Sequence, residues 1–292
     1  MTWMIVGAGG QLASCLIDRL PRTVAVHAFS REQLDITNEE RLLQVVEQIR
    51  PSVVINCAAF TQVDLAEEHQ AQAYAANVLG VEIIARCANL VGALVVHVST
   101  DYVFAGDAHT PYEVDAFCAP KTFYGQTKLE GERLLIATAF DFVIVRTAWL
   151  FSEYGQNFVK TMLKLANTHS SLKIVEDQIG NPTYAGDLAR FIIWLVESKQ
   201  YRNQITHFVG DKSLSWAEFA KVIFNRALTL GVLDKVPDVI PITSGDYPIK
   251  TPRPAYSVLA TTPSPVPNDW QASLVQVLGC VERQVKVFSS HD

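Results

Sequence analysis

The stretch KTFYGQTKLEGERLL, residues 121–135, sets Tyr124 four residues ahead of Lys128. On a helix that spacing stacks the two side chains on one face. A phenol beside a cation can serve as a proton donor, with the lysine tuning its acidity. An ordinary amphipathic helix gives the same spacing, so the pair gains meaning only from partners. Ser99 and Thr100 offer hydroxyls at the end of the apolar run ALVVHVST. A third group is glycine-rich. In IVGAGGQLAS, Gly7, Gly9 and Gly10 allow a tight turn and a close approach of backbone to a pyrophosphate at a helix N-terminus. Ala13 replaces the third glycine of the usual dinucleotide fingerprint and is still small enough for helix–strand packing.

The elements that must position these groups alternate. TWMIVG, TVAVHAF, SVVINCA, ALVVHVST and FDFVIVRTAWLF read as strands. Between them lie helices over 11–20, over EERLLQVVEQIR (capped by Thr37 or Asn38 and followed by Pro51), over 68–91 and around Tyr124. Strands that are almost wholly apolar are covered by helices on both faces. The alternation predicts an α/β fold, a doubly wound parallel sheet of Rossmann type. Ligands of such sheets bind beyond the carboxyl ends of the strands, which brings Thr100 and the first turn of the Tyr124 helix to one crevice. After the second strand, Ser30 and Arg31 stand where an acidic residue would grip the 2′-hydroxyl of NAD. A hydroxyl with a guanidinium suits the 2′-phosphate of NADP. Asp35 and Ile36 follow where an adenine could rest.

The second half is less regular. Helices are expected at 156–167, 184–198, 214–230 and 270–280, separated by DQIGNPT and the proline-rich DYPIKTPRPAYSVLATTPSPVP. Such segments mark a smaller lobe or a binding loop. The expected division is 1–147 with about 184–208 as the NAD(P)-binding unit, and about 148–183 with 209–292 as a C-terminal α/β substrate lobe.

Composition narrows the partners. Of 292 residues, 49% are hydrophobic and 18% charged, enough for a large core. A net charge of −6 without a Lys/Arg cluster argues against nucleic acid or an acidic membrane. Five scattered cysteines without CxxC suggest neither a disulfide framework nor structural zinc. The N-terminus lacks a signal peptide, and runs such as LVGALVV and FIIWLV are too short to span a bilayer, so a cytoplasmic protein is expected. His97 reads as a satisfied core histidine, Trp194 and Trp216 as core, and Glu130 and Glu132 as a solvated helix face.

GxxGQL, STDYVF, YGxxK and QxGxPT together resemble the extended short-chain dehydrogenases, and within them the dTDP-4-dehydrorhamnose reductase family. NCAAFTQVDLAEE, DQIGNPT and RPAYSVL are similar to further stretches of that family, so the likeness runs from Met4 to about Trp270. The resemblance implies reduction of dTDP-4-dehydro-L-rhamnose to dTDP-L-rhamnose by NADPH or NADH, for surface polysaccharide. It implies Thr100, Tyr124 and Lys128 as the catalytic triad, with Asn77 supporting the lysine through water. Gly7, Gly10, Gln11 and Leu12 would hold the pyrophosphate, and Ala58, Ala59 and Thr61 would run along the cofactor. Asp101, Trp149, Asn157, Gln178, Pro182, Thr183 and Arg253 would shape the nucleotide-sugar site.

Two departures bear on assembly. Members of the family that form magnesium-bridged dimers use glutamates where this chain has Cys15 and Gly186. No metal is therefore expected, and the chain is expected to be a monomer or a weak homodimer. Two other readings stay open: a different nucleotide-sugar epimerase or reductase of the superfamily, and a non-enzymatic regulatory subunit of the methionine adenosyltransferase type.

Overall fold

The computed structural model describes residues 1–248 and 251–289, with the backbone path alone for 282–289. The first half runs β1 (Thr2–Val6), α1 (Gln11–Arg19), β2 (Ala25–Phe29), α2 (Glu39–Ile49), β3 (Val53–Asn56), α3 (Val63–Glu68) and α4 (Gln70–Tyr74). A π-helical turn (Ala75–Leu79) leads into α5 (Gly80–Val91), followed by β4 (Leu94–Thr100), α6 (Phe123–Thr138) and β5 (Phe142–Thr147). The second half runs β6 (Leu150–Phe151), α7 (Phe158–Ala166), β7 (Ser171–Val175), β8 (Ile179–Gly180), β9 (Thr183–Tyr184) and α8 (Ala185–Ser198). Then come β10 (Gln204–His207), β11 (Leu214–Ser215), α9 (Trp216–Thr229), β12 (Asp238–Ile242) and α10 (Trp270–Ser289).

Six parallel strands form one sheet in the order β10-β5-β4-β3-β1-β2. The order reverses between β1 and β3, the switch point at which such sheets open a ligand crevice. Every residue of β3 and β5 is buried, as strands with both faces covered require. On one face Ile5, Ile55 and Val96 pack against Leu12 and Leu16 of α1 and Leu188 and Ile192 of α8. On the other, Met4, Val54 and Val95 meet Leu42 and Val46 of α2 and Ile84 and Ala88 of α5. A separate core, including Phe151, Phe219, Phe224, Trp270 and Leu278, holds α7, α9 and α10 together.

Local signals explain the helix ends. The Asn38 side chain accepts from the Arg41 N–H, and α2 stops at Arg50, in the left-handed region just before Pro51. Thr122 caps α6 by accepting from the Gly125 N–H. The helix expected over 68–91 is interrupted by the π turn, which places Asn77 inward. By length and composition Gln70–Val91 is apolar enough to cross a membrane, unlike the shorter runs singled out in the sequence. Here half of it is buried, against the sheet.

The Glu132 side chain departs from its expected place. Glu132 is 1% exposed, not solvated. Both its carboxylate oxygens accept from Arg146 of β5, at 2.9 and 2.7 Å.

Candidate active site

The carboxyl ends of β1, β3, β4 and β5 open onto a cleft of about 1200 Å³. Gly7, Gly10, Gln11 and Leu12 form one end of it. Gly7 has φ 85°, and a Cβ there would lie 2.6 Å from the Ala58 nitrogen, so the turn admits only glycine. Gly10 caps α1 without any side-chain bond, and the first turn holds no acidic residue. The free N–H groups and positive end of the helix dipole are thus left for an anion, and a pyrophosphate fits this cradle. Arg31, Asp35 and Ile36 continue the wall on one side, Ala58, Ala59 and Thr61 on the other. Arg31 is 76% exposed and 3.7 Å from Asp35. Ser30 does not line the cleft; its hydroxyl donates to Glu32 at 2.6 Å.

Tyr124, Lys128, Thr100 and Asp101 meet at the middle of the cleft. Gly125 lets α6 approach closely, since a Cβ there would collide with the Tyr102 carbonyl. Tyr124 is 8% exposed and lies edge-on to the Tyr102 ring, 5.5 Å between centroids. Burial pushes its pKa up, the neighbouring Thr100 hydroxyl opposes this, and Asp101 adds to the rise. The phenol therefore stays protonated at neutral pH. Thr100 donates to Asp101 Oδ1 at 2.9 Å and accepts from the Tyr102 N–H at 3.3 Å. Burial raises the Asp101 carboxyl to about 6.

Lys128 is 2% exposed. Its amine donates to the Val98 carbonyl at 2.8 Å and lies 3.2 Å from His97 Nε2. Burial lowers its pKa to about 8, against the opposing pull of Glu132 and Cys57. Thr100 and Asp101 are the groups that act on the Tyr124 hydroxyl, while the lysine amine is held by the Val98 carbonyl of β4. Ser99 Oγ and Thr147 Oγ1 are buried in the cleft lining without a protein partner, as expected of a wall that a polar ligand completes.

Trp149 and Gln178 line the far end. Trp149 has φ 46°, and its indole stacks flat on Trp216, 3.4 Å between centroids. Trp216 thus lines the cleft as well as packing on Phe158, where the sequence reading had it in the core. The available signal was its place beside Ser215, the N-cap of a capping box, which puts it at the very start of α9.

Besides Ser30, five expected residues lie outside the lining. Asn157 caps α7, and its amide donates to Gln11 Oε1 at 2.9 Å. Pro182 and Thr183 are buried, Thr183 accepting from the Gly210 N–H. Arg253 pairs with Asp64 at 2.5 Å beside an adjoining pocket of about 250 Å³. Asn77 bonds Phe60 through its N–H and carbonyl and donates to Thr127; none of its bonds goes to Lys128.

A family model described as RmlD substrate binding domain matches residues 1–281. The chain belongs to the RmlD family. A dTDP-4-dehydrorhamnose reductase of Aggregatibacter actinomycetemcomitans is 41% identical, over 96% of this chain and 99% of its own length. Two solved RmlD-type structures superpose closely. A dTDP-4-dehydrorhamnose reductase ortholog from Clostridium acetobutylicum is 38% identical with a TM-score of 0.91, covering 97% of this chain and 100% of its own. The Bacillus anthracis enzyme in complex with NADP is 36% identical with a TM-score of 0.89, covering 94% and 98%.

Within this RmlD fold the place of the two expected departures is filled by an organic cation. Cys15 is fully buried. A carbon added at Gly186 would collide with the Tyr184 ring and come within 2.5 Å of the Arg19 guanidinium. Arg19 donates to the Tyr184 hydroxyl at 2.7 Å and lies 3.8 Å from Glu153. Among the described residues, no three His, Cys, Asp or Glu side chains are placed to hold a metal ion.

Proposed function

We propose that this chain reduces dTDP-4-dehydro-L-rhamnose to dTDP-L-rhamnose with NADPH. The observation that carries the reading is the convergence of Thr100, Tyr124 and Lys128 midway between an uncapped helix start and a tryptophan-lined end of one cleft. Membership of the RmlD family and the 41% identical reductase support it. The bound cofactor would supply the hydride. Gly7, Gly10, Gln11 and Leu12 hold its pyrophosphate, and Ala58, Ala59 and Thr61 flank it. Tyr124 donates its phenolic proton to the oxygen at C4 as negative charge develops there. Thr100, turned from Asp101, donates a hydrogen bond to the same oxygen. The Lys128 ammonium stabilises the phenolate left behind and orients a ribose hydroxyl. Asp101, Trp149 and Gln178 contact the sugar. Residues 1–147 with about 184–208 serve the cofactor in this reading, and the rest serves the nucleotide sugar. NADPH oxidation with a panel of dTDP-, UDP- and GDP-linked 4-keto sugars tests it. The dTDP-linked 4-keto-6-deoxy sugar should be turned over fastest, and no oxidation with any of them overturns the reading.

Cofactor choice gives a second expected result. Arg31 is exposed, and its pairing with Asp35 is too loose to hold it back. Arg31→Ala should weaken NADPH binding by about 1–3 kcal/mol, as expected for a lost charge-assisted bond, and leave NADH unchanged. Equal effects on the two cofactors would place Arg31 in solvent.

Assembly gives a third. Activity should survive exhaustive EDTA treatment, because Arg19 already supplies the local positive charge and a hard cation such as Mg²⁺ needs oxygen ligands that Cys15 and Gly186 lack. We propose a monomer or a weak homodimer held by side-chain packing. Sedimentation and turnover before and after chelation decide this. Dissociation or loss of turnover that Mg²⁺ reverses would show that other carboxylates form a site.

A further inference from the structure

The β3/β4 register sets Asn56 beside His97, and both side chains are buried. The Ala58 N–H donates to Asn56 Oδ1 at 3.0 Å, which fixes the orientation of the amide. Its NH₂ group therefore faces His97 Nδ1, also at 3.0 Å. A neutral imidazole carries one proton, and a nitrogen that accepts cannot bear it. With Nδ1 accepting, the proton sits on Nε2, which points at the Lys128 amine 3.2 Å away. An ammonium has three donors and no acceptor, so it meets this N–H as donor against donor. An unprotonated amine can accept it.

We propose that His97 is a positioning residue for Lys128: its Nε2–H, set by Asn56 and the Ala58 N–H, favours the unprotonated amine. The other groups around the amine are few. Val98 of β4 offers a carbonyl. Glu132 of α6 and Cys57 after β3 favour the ammonium, but Glu132 is already paired with Arg146 and the Cys57 thiol is pushed up to about 12 by burial. Tyr124, on the cleft side, stays protonated. The imidazole itself remains neutral, because burial first and Lys128 second hold its pKa well below the usual value. Lys128 is thereby poised to take up a proton when negative charge enters the cleft. That consequence for catalysis rests on the reductase reading, whereas the tautomer and the lysine titration do not.

Two variants separate the parts of this network. Asn56→Asp offers a second carboxylate oxygen in place of the NH₂ group, so it should invert the tautomer to Nδ1–H and turn Nε2 into an acceptor for the ammonium. His97→Asn keeps an acceptor for Asn56 and removes the N–H that faces Lys128 without adding charge. The experiment is ¹⁵N NMR of the histidine rings and ¹³C NMR titration of Lys128 in the ligand-free protein. The expected result is Nε2–H in the unaltered protein, Nδ1–H in Asn56→Asp, and a Lys128 titration moved up by about one unit or more in both variants, a tenfold or greater gain in proton affinity. The basic limb of kcat/KM should move to higher pH with it, since the lysine is protonated below its pKa and loses its proton above it. An Nδ1–H tautomer in the unaltered protein overturns the proposal, and so does a Lys128 titration that neither variant moves. If neither variant folds, the tautomer of the unaltered protein still decides it.

Discussion

Replacing Tyr124 with Phe is expected to lower kcat by ~10²–10⁴, the range for a lost general acid, while cofactor binding stays almost unchanged. The substitution removes one oxygen from a buried ring that otherwise keeps its packing against Ala66 and Ala73 and its edge-on contact with Tyr102. Its backbone carbonyl still accepts from the Thr127 hydroxyl. What is lost is the proposed proton donor and the neighbour of Thr100. A residual rate is expected, because Thr100 and the Lys128 charge still act on the developing oxyanion. The measurement is single-turnover reduction of the dTDP-linked 4-keto sugar together with a direct NADPH affinity. Turnover within about threefold of the unaltered enzyme would remove Tyr124 from the chemistry. A parallel collapse of NADPH affinity would instead assign it to cofactor binding.

The second large effect falls on stability. Glu132→Ala should cost about 3–5 kcal/mol, because it strands the Arg146 guanidinium in the core without its counter-charge. Arg146 is 2% exposed and sits over the Phe104 ring at 5.0 Å, with Cys118, His207 and the Val114 carbonyl as its remaining neighbours. None of these carries a formal negative charge to replace the carboxylate. Against a typical total of about 5–15 kcal/mol, such a loss reaches a large part of the stability. Thermal denaturation should show a melting temperature lower by roughly 5–15 °C. Replacing both partners with methionine should recover most of the loss, since no charge is then left buried. A fall below about 2 °C in the single variant would mean that water or a shift of α6 relieves Arg146.

What was legible in the sequence was local. The glycine turn, the Tyr124/Lys128 spacing and the hydroxyl at the end of β4 each depend on a few neighbouring residues and on one topological rule. Their meeting in a single cleft follows from the parallel sheet. What was not legible depends on register between strands or on contacts across the chain. Glu132 sits among polar residues on its own helix, and its partner lies on the next strand. Trp216 reaches the cleft because α9 begins there, which no hydrophobic pattern encodes. Asn157 was expected at the sugar and instead bonds Gln11, 146 residues away. His97 was read as satisfied, and both ring nitrogens do have neighbours. Which neighbours they have is set by a one-residue choice of register between β3 and β4.

The sixth strand has a consequence for synthesis. β10 pairs with β5 through Gln204 opposite Val143, and the intervening chain first makes α7, three short strand pieces, β7 and α8. A ribosome adding about 5–20 residues per second exposes the outer edge of β5 for several seconds before its partner exists. Closing so long a loop adds only modestly to the entropy cost, so the delay is one of timing more than of equilibrium. During that interval the nascent chain presents a strand with one edge unpaired and apolar from Phe142 to Val145, the kind of edge that a second chain or a chaperone can occupy.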